Sequence, residues 1–230
     1  MSDISSFDRG RPPGITGRRA EAGLVLFLLF ASVVSVLIAP LLMPSSYSIV
    51  EHSISESAAQ GVEGAWLARL GFLMFGLAVL LLASIAGDRW GIWGRIAHRV
   101  WGVSMIAAAV FSHMPWLDTP YDVFEDTLHS IASFAVGMSF IVGVLLVTFR
   151  RGPGTSLVRV FDWIALGVAL VVPPVMFNFA GVAGVVQRVM FAIAYLWYGS
   201  EALRLARDGP SVGAKSRSLH AASSIEPGHE

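Results

Sequence analysis

Residues 23–43 read GLVLFLLFASVVSVLIAPLLM, with no charged side chain between Gly23 and Met43. About 20 apolar residues are what a helix needs to cross the hydrocarbon core of a bilayer. Working outward, further stretches of this kind run over Ala65–Ala86, Val100–Pro115, Leu128–Phe149, Val158–Phe177 and Val185–Leu203. The third segment is short, but Trp101 and Trp116 bracket it at interface depth. The chain therefore reads as all-α, a polytopic transmembrane bundle of six helices over residues 21–205. The tails at 1–20 and 206–230 are rich in Ser, Gly, Pro and charge and are expected to be disordered. Arg18 and Arg19 ahead of the first segment resemble the basic start of a secretory signal, but a signal core is about 7–15 residues. The longer segment reads as a retained first helix.

Composition points the same way. Of 230 residues, 55% are hydrophobic and 14% are charged, against about 25% charged in soluble domains. A soluble fold could not hide that much apolar side chain. Sixteen basic residues balance sixteen acidic ones, which argues against a nucleic-acid partner. Cysteine is absent, so disulfides, thiolate metal sites and cysteine nucleophiles are excluded. The dominance of Arg over Lys, with abundant Ala, Gly and Val, fits a GC-rich bacterium.

Charge placement gives orientation. The N-terminal tail, the loops holding Arg89, Arg95 and Arg99 and then Arg150, Arg151 and Arg159, and the C-terminal tail carry all but two of the basic residues. The intervening loops hold acids only: Glu51, Glu56, Glu63, Asp118, Asp122, Glu125 and Asp126. Positive loops face the cytoplasm, so both termini are expected inside, in a bacterial inner membrane. All seven tryptophans fall near expected helix ends and read as interface anchors. Small residues at four-residue spacing, Ala135–Ser139–Gly143, Ser133–Gly137 and Ser104–Ala108–Ser112, are expected to pack helix on helix. Pro173-Pro174 should loosen the outer part of helix 5.

The outward side carries the chemistry-bearing residues. The first outer loop, YSIVEHSISESAAQGVEG (Tyr47–Gly64), gathers Glu51, His52, Ser53, Ser55 and Glu56, with Ser53 and Glu56 at capping-box spacing. The second runs HMPWLDTPYDVFEDTLHS from His113 to Ser130. Thr119-Pro120 reads as a helix start there, and Asp122, Asp126, His129 and Ser133 then share one helical face. Arg69 in helix 2 and Arg188 in helix 6 are cations inside spanning segments and should be compensated. The expectation is that they meet Glu51, Glu56, Asp122 or Asp126 in a water-accessible polar pocket among helices 2, 3, 4 and 6, roofed by the first outer loop.

YSIVEHSISESAAQG after a first helix, followed by an acidic loop ending EDTLHSIAS, resembles a bacterial and archaeal membrane family, domain-of-unknown-function family 998. The resemblance covers about residues 20 to 205. It implies a six-helix membrane protein with a Ser/Glu motif after helix 1 and a histidine opening helix 4, here Ser53, Ser55, Glu56 and His129. It implies no activity.

The leading functional expectation is binding or transport of a small molecule, lipid or ion in the outward pocket. A membrane-embedded hydrolase acting on lipid is an alternative, with zinc on His52, His113, Asp126 and His129. A structural, partner-stabilising subunit without chemistry of its own is another. Haem clasped by His113 and His129 is a further alternative, but His98 has no histidine partner on another helix, so a two-haem electron path fails. No cofactor is called for, no residue is singled out as catalytic, and the oligomeric state is not legible.

Overall fold

A computed structural model describes residues 15–152 and 157–207. Those residues are helical, without strands: α1 (Ile15–Ile38), α2 (Ala65–Ile85), α3 (Gly91–Val110), α4 (Val123–Arg150), α5 (Leu157–Asn178) and α6 (Ala183–Arg207). Five of the six, all but α3, are long and apolar enough to cross a membrane. Large apolar side chains such as Phe27, Phe30, Leu41, Phe134 and Phe177 cover the outside. That surface needs lipid rather than water as its solvent. The chain is a membrane-embedded helical protein.

Each helix packs against its neighbours in the chain, and α6 closes on α1, so the helices form a ring. The α4–α5 seam is the sparsest of the ring. One end of the ring gathers the long 43–64 loop, the α3–α4 connection and the start of α6, and is termed the loop face below. The other end gathers residues 87–90, the end of α4 and the end of α6, and is termed the tail face.

Element boundaries differ from expectation in three places. First, α3 spans Gly91–Val110 rather than Val100–Pro115, so Arg95 and Arg99 lie on a helix rather than in a loop. Its tail-face half carries Arg95, His98 and Arg99, which an apolar window does not register. Pro115 biases the residue before it away from helix, and the chain is already extended at Phe111. Second, α4 starts at Val123, capped by the Asp122 carboxylate accepting from the N–H groups of Phe124 and Glu125. Thr119-Pro120 is not the helix start. Third, α1 begins at Ile15, within the expected tail. The expected disorder of 1–14 and 208–230 lies outside the described residues.

Three of the tryptophans are not interface anchors. Trp90, Trp101 and Trp197 are fully buried and form the aromatic core with Phe75, Phe140 and Tyr198. Trp66, Trp93 and Trp163 are exposed, as anchors would be. The small-residue stripes also divide. Gly143 packs so closely on the His98 ring that an added Cβ would lie 2.6 Å from its Cε1. Ser133 and Gly137 instead line a cavity.

Candidate functional site

The 43–64 loop forms a roof over the ring, and its irregular backbone is satisfied by backbone turns and by side chains together. Ser53 and Glu56 form the expected capping box: the Ser53 N–H donates to Glu56 Oε2 at 2.6 Å, and the Glu56 N–H donates to Ser53 Oγ at 3.1 Å. The box closes around a single 3-10 turn, Glu56–Ala58.

Arg69 of α2 and Arg188 of α6 both turn to the roof, and among the described residues neither forms an ion pair with a carboxylate. Arg69 donates to the carbonyls of Ala58 (3.0 Å) and Ala59 (2.8 Å). Arg188 donates to the carbonyls of Ile49, His52 and Gly184 at 2.8–3.0 Å and to the Tyr47 hydroxyl at 2.7 Å. Carbonyls of non-helical backbone held away from water need donors from the protein. A guanidinium, with five donors in a planar fork, serves several of them at once. The expected ion pairs are thus replaced by carbonyl cages.

Further ties hold the roof. Gly184 approaches so closely that a Cβ there would lie 2.4 Å from the carbonyl oxygens of Ile49 and His52. The N–H groups of Gly184 and Val185 donate to Glu51 and Val50 carbonyls, so the start of α6 is satisfied by the roof. Gln187 accepts the Ile54 N–H at 2.6 Å. Gln60 latches the roof to the α3–α4 connection: its side chain bonds Ser112 and Asp122 backbone, and its N–H donates to the His113 carbonyl. The Tyr47 phenol donates to the Ser53 carbonyl at 3.0 Å. Burial holds its pKa above the ordinary tyrosine value, despite the opposing effect of Arg188.

The remaining predicted residues separate into groups. His52 is fixed by the Ser48 N–H donating to its Nδ1 at 2.8 Å and packs between Tyr47 and Trp116. The Glu51 side chain is exposed. His113 and His129 do come together, with rings stacked 5.3 Å apart. His113 Nδ1 is 2.6 Å from Asp126 Oδ1, which also accepts the Met114 N–H at 2.7 Å. His129 is buried, with Nδ1 2.8 Å from the Phe111 carbonyl and Nε2 without a partner among the described residues. Glu125 accepts the Ser112 N–H at 2.7 Å. Among the described residues, no three histidine or carboxylate side chains are grouped as ligands of one metal ion.

Beneath the roof lies a cavity of about 490 Å³. Its walls come from α2 to α6 and are chiefly apolar: Phe72, Met105, Ile141, Met176, Met190 and Phe191 among them. Polar groups occur at one end, from Ser55 of the roof, Ser133 of α4 and Gln187 of α6. Gln187 was not foreseen. A second, small cavity of about 40 Å³ shares Met105, Gly137 and Phe191 with it and reaches Trp101 and Phe140. Of the candidate residues, Ser55 and Ser133 line the larger cavity; the others build the roof and the α3–α4 junction.

A family model described as a protein of unknown function (DUF998) matches residues 22–204. The chain belongs to the DUF998 family. The match covers every helix except the first residues of α1 and the last of α6. No curated protein and no solved structure matches this DUF998 chain.

This DUF998 member has a second polar centre, at the tail face, that sequence reasoning missed. Asp162 of α5 and Glu201 of α6 are 1% and 4% exposed. Arg151 bridges them, bonding both oxygens of Asp162 and lying 2.5 Å from Glu201 Oε1. Arg204 adds a bond to Glu201 at 2.7 Å. The indoles of Trp197 and Trp90 donate to Asp162 and Glu201 at 2.8 and 2.9 Å. The signal was present: both acids sit inside expected spanning segments, where a charge is costly and finds a partner.

Proposed function

We propose that the chain binds an amphiphile bearing a single acyl chain, taken from the bilayer into the cavity beneath the roof. The observation that carries this reading is the cavity's polarity. Hydroxyl and carboxamide groups of Ser55, Ser133 and Gln187 sit at its roofed end, and methionines and aromatics line the rest. Its volume falls in the range of about 300–1,000 Å³ usual for small-ligand sites. Unbranched thioether side chains adapt to chains of varied shape. The sparse α4–α5 seam, beside the α5 prolines, offers lateral entry.

Gly137 provides the test. It lines the cavity, and a Cβ there meets nothing within 4 Å. Gly137→Phe should fill the cavity without disturbing helix packing. Native mass spectrometry is expected to find one retained amphiphile on the parent chain and none on this variant, with thermal stability unchanged. Equal lipid retention by both would sink the proposal.

In the same reading the ring spans the membrane six times, with the tail face cytoplasmic. At 1.5 Å per residue the 20 residues of α3 reach about 30 Å, the thickness of a bilayer core. The basic residues of the chain ends and of the loops after α2 and α4 support the orientation. Because the chain has no cysteine, single cysteines at Glu63 and Asp88 give a clean test. They should label from opposite sides of a sealed vesicle, and labelling from the same side would refute the topology.

A further inference from the structure

The three polar side chains at the roofed end of the cavity specify a head group, an inference that rests on the amphiphile reading above. Gln187 has one end of its carboxamide in use: Oε1 accepts the Ile54 N–H at 2.6 Å. A backbone N–H can only donate, so that bond fixes which way round the amide sits. Nε2 then carries two N–H donors with no acceptor among the described residues. The Ser55 and Ser133 hydroxyls also line the cavity and make no hydrogen bond among the described residues. Each can donate once and can also accept. The roofed end is therefore rich in donors, and all of them belong to neutral groups.

Charge narrows the class further. Among the described residues, no charged side chain lines the cavity. The arginines that hold the roof are engaged by backbone: Arg69 by the carbonyls of Ala58 and Ala59, and Arg188 by those of Ile49, His52 and Gly184. A carboxylate or phosphate lodged in the cavity would give up water with no cation to replace it, which is costly. An uncharged ester carbonyl instead offers two lone pairs to the Gln187 amide. A hydroxyl on the same head group pairs with a serine hydroxyl in either direction. We propose that the ligand's head group is an uncharged hydroxy ester, as in a monoacylglycerol, with its carbonyl on Gln187 Nε2 and its hydroxyls on Ser55 and Ser133.

The test offers the whole chain, purified in an uncharged detergent, three probes that share one acyl chain and differ in head group. These are monooleoylglycerol, oleate and oleoyl lysophosphatidylcholine, and native mass spectrometry reads what is retained. Monooleoylglycerol should be held about tenfold more tightly than either charged probe. Gln187→Glu keeps an oxygen for the Ile54 N–H but replaces the free donor, and should weaken retention of the ester about tenfold. Ser133→Ala breaks no hydrogen bond of the fold and should weaken it about threefold. This second variant decides the matter alone should Gln187→Glu fail to fold. Charged probes held as tightly as the ester, or ester retention unaffected by these substitutions, would overturn the head-group assignment and leave the amphiphile reading standing. No probe retained by the parent chain, or retention that survives Gly137→Phe, would overturn both.

Discussion

At the scale of single residues, the roles of Arg69 and Arg188 follow from the roof they hold. A looped backbone packed on a helix presents carbonyls that lack helical partners, and an arginine in the neighbouring helix supplies the donors. The requirement that these cations be compensated was readable from the sequence. The identity of the partner was not, because a backbone carbonyl leaves no trace in residue type. Gln60 escaped for the same reason, since a lone amide in a loop has no signature. Asp162 and Glu201 were legible by the rule applied to the arginines. Arg188→Gln should destabilise the protein by on the order of 1–3 kcal/mol, because two partly buried carbonyls and one exposed carbonyl lose a charged donor. Arg188→Lys should recover only part of this, since an ammonium keeps the charge but not the fork. Unfolding in a graded mixture of mild and denaturing detergent would measure both. Equal stability of Arg188→Gln and the parent chain would show that the cage does not hold the roof.

At the scale of elements, apolar length located α2, α4, α5 and α6 to within about five residues at each end, and displaced the first and the third. The tail-face half of α3 is polar in sequence yet buried in part: His98 is enclosed by Trp90, Trp197 and Gly143, with its Nδ1 3.0 Å from the Tyr198 hydroxyl. Hydropathy averages over all sides of a helix and cannot register one that hides its polar groups inward. The tryptophans mislead for a related reason. Depth along the membrane normal can be read from position in a segment, whereas facing inward or outward cannot. The small-residue stripes carried real information about close approach, but the same glycine spacing serves packing at Gly143 and a cavity wall at Gly137. Alanine separates the two. Gly143→Ala should cost about 1–3 kcal/mol by pushing on the His98 ring. Gly137→Ala should be neutral or stabilising by up to about 1 kcal/mol, the helix-propensity difference. Thermal unfolding of the two variants side by side tests this, and the same sign for both would contradict the assignment.

At the scale of the whole molecule, the ring is closed at both ends by polar devices of different kinds. On the loop face, arginine-to-carbonyl bonds hold an irregular roof over an apolar cavity. On the tail face, the buried acids Asp162 and Glu201 fix Arg151 and Arg204. Such a molecule is suited, on the proposed reading, to hold an amphiphile in its loop-face half. The most direct measurement is photo-crosslinking with an acyl chain carrying a photoreactive group near its end, followed by peptide mapping of the adducts. The account predicts adducts concentrated on the inner walls of α4, α5 and α6, around Ile141, Met176 and Met190, and abolished in Gly137→Phe. Adducts spread over the outward-facing side chains of the ring, such as Phe27, Phe30 and Phe149, and unchanged by Gly137→Phe, would contradict it.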